Sequence, residues 1–180
     1  MDLPPAAAAA EQPGDLVVQR PEGLYCPPGD FYIDPWLPVD RAVITHAHGD
    51  HARPGNAHYL AANDSAAVLR TRLGADITLQ TLDYGETIDH RGVRLSLHPA
   101  GHVLGSAQIV MEHKGERVVV SGDYKRRPDP TCPCFVPVPC DVHEGVRVPV
   151  DGRAPHEREG EPGGRVGEPR SRDPERKAVA

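Results

Sequence analysis

Thr45-His46-Ala47-His48-Gly49-Asp50-His51 packs three imidazoles and a carboxylate into seven residues, a density suited to holding cations. Neutral imidazole nitrogen and carboxylate oxygen are both good zinc ligands. In an extended segment, side chains two residues apart project to the same side, so His46 and His48 can address one ion. If the chain turns at Gly49, which has no side chain to crowd the bend, Asp50 and His51 swing toward a second position nearby. Two further donors stand later in the chain, His102 in Pro99-Ala100-Gly101-His102 and Asp123 after the apolar run Val118-Val119-Val120. His102 is expected to complete the first ion's ligands and Asp123 to bridge both ions. A single loop histidine or strand-end aspartate is usually just solvated, and it is their occurrence together, in this order, that points to a metal centre.

The remaining histidines, His58, His90, His98, His113, His143 and His156, have no comparable neighbours in sequence and read as surface or structural groups. Asp34, in Ile33-Asp34-Pro35-Trp36, has two readings open to it on the residues alone. It is either a carboxylate that orients the histidine turn by hydrogen bonding or an ordinary Asp-Pro turn residue.

Strand ends are the natural carriers of such a site, because ligands at successive strand ends converge on one edge of a sheet. Arg41 to Thr45 reads as a short strand that runs directly into His46. Val93, Leu95 and Leu97 alternate with Arg94, Ser96 and His98, the period-two signature of a half-buried strand leading toward His102. Ala107 to Glu112 and Arg117 to Ser121 form a hairpin around Lys114-Gly115 whose second arm ends in Gly122-Asp123. Between them, Asn63-Asp64-Ser65 is expected to cap a helix through Val68, Leu69 and Leu73 that stops at Gly74, followed by a strand over Ile77 to Leu82. Short apolar runs from Asp15 to Cys26, broken by Pro and Gly, suggest a β-rich entry. Short strands with one interposed helix fit an α/β fold better than a helical bundle.

Only part of the chain has the composition of a compact domain. Hydrophobic residues make up 38% and aromatics 4%, and 20 Pro with 18 Gly exceed a fifth of the 180 residues, so turns and unfolded sequence are expected to be abundant. Residues 1–15 are Ala- and Pro-rich and read as a disordered leader. From His143 to Ala180 there is no Leu, Ile, Met, Phe, Tyr or Trp, so residues 143–180 are expected to be a disordered tail. The compact portion is thus expected over 16–142. A formal net charge of -6 speaks against a general basic nucleic-acid binder, although two divalent ions would make the cleft locally attractive to an anionic substrate. No secretory signal and no membrane-length apolar stretch is present, so a cytoplasmic location with no membrane contact is the expectation. The four cysteines, Cys26, Cys132, Cys134 and Cys140, lack the paired C-x-x-C spacing of a structural zinc site and read as structural or incidental thiols.

The H-x-H-x-D-H run with a distal His and a distal Asp resembles the metallo-β-lactamase superfamily. Within it, Gly23 to Cys26, Asp30 to Trp36, Thr45 to Pro54, Pro99 to Gln108 and Ser121 to Pro133 look like the ligase-associated DNA exonucleases of the β-CASP nuclease branch. The resemblance covers roughly 16–142. It implies an α/β fold, the β-rich N-terminal half of an αββα sandwich, and matches Asp34 to the acidic residue of the family's first motif. It implies two zinc ions held by His46, His48, Asp50, His51, His102 and Asp123, with Asp50, His51 and Asp123 sharing in catalysis. A hydroxide between the ions would attack a terminal phosphodiester, and Lys125, Arg126 and Arg127 could steer the phosphate backbone. DNA, and a DNA ligase as partner in DNA repair, are implied by the resemblance alone. Members of that family are about twice as long, so a truncation or frameshift near Val142 is expected. The alternatives are a non-catalytic remnant that binds zinc without turnover, or another hydrolase of the same fold acting on RNA, a thioester or a lactam.

Overall fold

The structure is a computed structural model and describes residues 15–147. Residues 1–14 and 148–180, which hold nearly all of the expected leader and most of the expected tail, lie outside the described residues.

Two sheets stack face to face. The first has six strands in sequence order, β1 (Val18–Arg20), β2 (Gly23–Cys26), β3 (Phe31–Ile33), β4 (Arg41–Val43), β5 (His58–Ala62) and β6 (Leu79–Leu82). Its first three strands meander antiparallel, and β3 through β6 run parallel. The second sheet holds β7 (Thr87–His90), β8 (Val93–Pro99), β9 (Ala107–His113), β10 (Glu116–Tyr124) and β11 (Val142–Arg147), in the order β11-β10-β9-β8-β7. All its pairings are antiparallel except β10 with β11. One α-helix, α1 (Ala66–Leu73), lies among the described residues, preceded by a 3-10 turn over Asn63–Ser65.

Side-chain alternation explains the layering. In β8, Val93, Leu95 and Leu97 are buried while Arg94 is exposed, as the period-two pattern requires. These three meet Phe31, Ile33 and Val43 of the first sheet, and with Ile109, Met111, Val118 and Val120 they make the core between the sheets. The opposite face of the first sheet turns Ala42, Tyr59 and Ala61 toward Leu69 of α1, in a second and smaller core. Helix, sheet and sheet thus form three layers, and the expected β-rich α/β class holds.

Local details follow from local chemistry. Lys114 and Gly115 both take positive φ, 50° and 89°, the combination that lets a two-residue loop match the twist of a β-hairpin. His113 and Glu116 pair on either side of it. The helix begins and ends close to where capping signals put it, but the cap is different. Ser65 is buried, and its hydroxyl donates to the Ala62 carbonyl at 2.7 Å, while its oxygen accepts no N–H from the first turn of α1. The loop between β8 and β9 presses on it there, since any side chain at Gly105 would overlap Ser65. The strand expected over Ile77 to Leu82 is shorter, starting at Leu79. At the far end, β11 pairs in parallel with β10, Val118 opposite Val142 and Ser121 opposite Gly145. The paired chain therefore runs five residues past the boundary expected after Val142. No helix among the described residues is long and apolar enough to cross a membrane.

Cys26 sits wholly inside the core between the sheets, and burial raises its thiol pKa to about 11. It is expected to stay unmodified by a thiol reagent in native buffer while the exposed Cys134 reacts promptly, and to react once denaturant opens the sandwich. Counting labelled cysteines by mass spectrometry against denaturant concentration checks this.

Candidate metal centre

Three segments meet where the parallel strands of the first sheet end. Beyond β4, Ile44 still donates to the Leu60 carbonyl at 2.8 Å, and from Thr45 the chain turns away into the histidine run. The loop between β8 and β9 brings His102, and the Ala107 N–H at its far end donates to the Thr45 carbonyl at 2.7 Å. The end of β10 supplies Gly122 and Asp123. Gly122 lies so close to Thr45 that a Cβ there would overlap the threonine hydroxyl, so glycine is what lets β10 approach.

Four donors converge. One atom each from His46, His48, His102 and Asp123 lie within 4.8 Å of one another. His46 Nε2 stands 3.0 Å from His48 Nδ1, and His102 Nε2 stands 3.4 Å from the same nitrogen. Asp123 Oδ2 is 3.5 Å from His102 Nε2 and 4.0 Å from His46 Nε2. Three ring nitrogens and a carboxylate facing one point form a donor set suited to zinc. Lys125, just beyond Asp123, pairs with Asp129 at 2.7 Å. His46, His48, His102 and Asp123, four of the six residues singled out in the sequence, lie together in this set.

His51 and Asp50 stand beside the group. His51 Nε2 is 3.9 Å from Asp123 Oδ1 and 3.7 Å from Asp50 Oδ2, so the two oxygens of Asp123 face different histidines. The Asp50 side chain is 73% exposed and approaches only His51 among these residues. Asp34 bonds to the histidine turn. Its Oδ1 accepts the Thr45 N–H at 2.8 Å, and its Oδ2 accepts the Thr45 hydroxyl and lies 2.7 Å from His51 Nδ1. A carboxylate at Nδ1 keeps the proton on that nitrogen and leaves Nε2 as the lone-pair donor. Asp34 holds this place with φ at 44°, a left-handed conformation that aspartate tolerates better than most residues.

The electrostatics suit cation binding. Burial, reinforced by His51, His48 and His102, pushes the His46 pKa down to about 2, so the ring stays neutral. His102 is also lowered, by burial first, although Asp123 opposes this. For His51 burial works downward, but the Asp34 hydrogen bond and the charges of Asp34, Asp50 and Asp123 overcome it and raise the pKa. Two groups bonded to the histidine run drew no role from the sequence. The Thr45 hydroxyl is one, hidden beside the conspicuous histidines. Arg72 is the other, on α1, where its Nη1 donates to the Ala47 carbonyl across 25 positions of sequence.

No family model matches the chain. It is 36% identical over 124 residues to a probable DNA ligase of Opitutus terrae, a match covering 67% of this chain and 12% of that protein. It is 33% identical over 94 residues to the endoribonuclease YSH1 of Eremothecium gossypii, covering 52% of this chain and 11% of that one. Against endoribonuclease YSH1 of Saccharomyces cerevisiae it is 43% identical over 51 residues, 28% of this chain and 6% of the relative. The chain thus spans 12% or less of the length of these relatives. Similar solved structures include metallo-β-lactamase SMB-1 bound to 2-mercaptoethanesulfonate, with 16% identity, 59% of this chain and 56% of that one covered, and a TM-score of 0.41. Zn(2+)-bound PqqB from Methylobacterium extorquens is another, at 14% identity, 46% and 38% coverage and a TM-score of 0.35.

Gly122→Ala is expected to destabilise the fold by roughly 1–3 kcal/mol through its overlap with Thr45, measured as a lowered denaturation midpoint. A pH effect follows from His46. Its folded pKa of about 2 lies below the ordinary 6.5, so on acidification the unfolded chain takes up a proton that the folded chain refuses. The metal-free protein should therefore lose stability as pH falls below about 6.5, by up to ~1.4 kcal/mol per pH unit. Denaturant melts of His46→Gln should show a shallower loss over that range.

Proposed function

We propose that this chain carries the metal centre of a metallo-β-lactamase-type nuclease and acts as a metal-dependent phosphodiester hydrolase. The observation that carries the reading is the convergence of His46, His48, His102 and Asp123 within 4.8 Å, with His51 and Asp50 adjoining. Relatives named as a probable DNA ligase and as endoribonucleases support a nucleic-acid substrate.

His46, His48, His102 and Asp123 would hold one zinc, and Asp50 and His51, beside Asp123, would hold a second. Zinc supplies a Lewis acid for the phosphoryl oxygens and lowers the pKa of a coordinated water toward neutrality. The chain's own residues do the rest. Burial keeps His46 and His102 as neutral donors at neutral pH. Asp34 fixes the tautomer of His51 and ties it to Thr45, so both faces of the histidine turn are set by one carboxylate. Asp50, exposed beside His51, would share in catalysis as one of the ligands. Arg126 and Arg127, exposed beyond Asp123, offer charge to a phosphate backbone.

The substrate we favour is a DNA end, removed exonucleolytically, with a DNA ligase as the functional companion and a cytoplasmic setting. RNA is the specific alternative, favoured by the endoribonuclease relatives. Zinc per chain, measured by elemental analysis, and degradation of end-labelled DNA and RNA test the proposal together. Near two zinc ions per chain, with chelator-sensitive loss of label that His48→Ala reduces at least about a hundredfold, is the expected result. Less than one tightly held zinc with no degradation would instead mark a non-catalytic remnant, and cleavage confined to RNA would transfer the activity to the alternative substrate.

A further inference from the structure

His46 and His48 are joined through Ala47, so the orientation of the two peptide groups around Ala47 decides whether both imidazoles can face one point. The Ala47 carbonyl accepts a hydrogen bond from Nη1 of Arg72, in the last turn of α1. Its other terminal nitrogen lies over the next bend, where a Cβ on Gly49 would come within 3.1 Å of Nη2. The backbone at Gly49 does not take the left-handed φ that demands glycine, so the approach of the guanidinium is what a side chain there would disturb. Among the described residues no carboxylate pairs with Arg72, which leaves the cation committed to this backbone. Its neighbour Arg70 serves the same helix end differently, donating to the carbonyls of Ala75 and Ile77.

We infer that Arg72 is a positioning residue of the metal centre, whose guanidinium clamps the peptide between the ligands His46 and His48 from the helix layer. The inference rests on reading His46, His48, His102 and Asp123 as a metal site. His46 is fixed on its inner side by packing beneath Thr45 and Gly122, whereas the His48 side chain is exposed and touches the other ligand rings, its backbone being held on the far side by the Ala52 and His51 N–H groups donating to its carbonyl at 2.8 and 3.2 Å. The hydrogen bond to the Ala47 carbonyl holds the near side of the same residue, on the peptide that links His48 to Ala47 and so to His46. A planar fork of donors on a helix is stiffer than an ammonium on a flexible stem, so arginine suits the task better than lysine. Groups that orient metal ligands from behind are worth tenfold to a hundredfold in metal affinity.

Wild type, Arg72→Ala and Arg72→Lys, each shown to be folded by circular dichroism, are titrated with zinc against a chromophoric chelator. Each is then loaded with cobalt for its visible absorption spectrum. Arg72→Ala should bind zinc roughly 10- to 100-fold more weakly with an altered cobalt spectrum, and Arg72→Lys should fall between it and wild type. A purely structural role would lower the melting temperature of the metal-free chain while leaving both metal readouts unchanged, and that result overturns the inference. If Arg72→Ala does not fold, Arg72→Gln replaces it, with the same loss expected and the same unchanged affinity counting against the clamp. A wild-type chain that takes up no zinc overturns the metal reading itself and this inference with it, a result distinct from wild-type binding that the variants retain.

Discussion

Thr45 is the knot on which the rest of the site depends. Its N–H and hydroxyl both go to the Asp34 carboxylate, its carbonyl accepts the Ala107 N–H, and its side chain fills the space that Gly122 leaves open. Four elements are thereby fixed to one residue: β3 through Asp34, β4 directly, the loop into β9 through Ala107, and the end of β10 through Gly122. Every candidate ligand lies within a few residues of one of these attachments. A shift of the second sheet against the first would move His102 and Asp123 away from His46 and His48, and the bonds at Thr45 resist that slide.

The core between the sheets makes this seam affordable. Aliphatic residues from both sheets, with Leu97, Val93 and Ile109 wholly buried, give a close-packed interior that holds the strand ends in register. Set against it is a pocket of imidazoles with strongly unfavourable mutual charge if protonated. The buried His46 ring shows the balance, since desolvation and three neighbouring rings all favour its neutral form. Asp34 works in the opposite sense at His51, so two histidines five residues apart in sequence are tuned in contrary directions by their surroundings.

Much of this was legible in the sequence, and for identifiable reasons. The ligand run stands out because imidazoles are rare and clustered, and β8 because Val93, Leu95 and Leu97 alternate with polar residues. The hairpin at Lys114-Gly115 was readable from its turn chemistry. The capping of α1 was not, because Ser65 is claimed by tertiary packing against Gly105 and turns its hydroxyl to Ala62. Strand β11 escaped because composition alone marks Val142–Arg147 as part of a Gly-, Pro- and charge-rich segment, while parallel pairing with β10 draws on backbone groups that any residue but proline supplies. Arg72 was silent for a different reason. Its role is a side-chain bond to a backbone carbonyl distant in sequence, and arginine on a helix is ordinary. The contacts of Asp34 with Thr45 and His51 join residues 11 and 17 positions apart, which sequence spacing does not show.

The candidate ligands come from both sheets, His46 and His48 from the end of the first, Asp123 from within a strand of the second and His102 from the loop between two of its strands. An ion shared among them would span the sandwich as a cross-link, closing the long stretch of chain from His46 to Asp123 much as a covalent staple does. Its binding free energy would then add to that of folding, and anything that loosened the sandwich would be felt as weakened hold on the ion. Assembly of the two sheets and retention of the cation would be a single linked equilibrium.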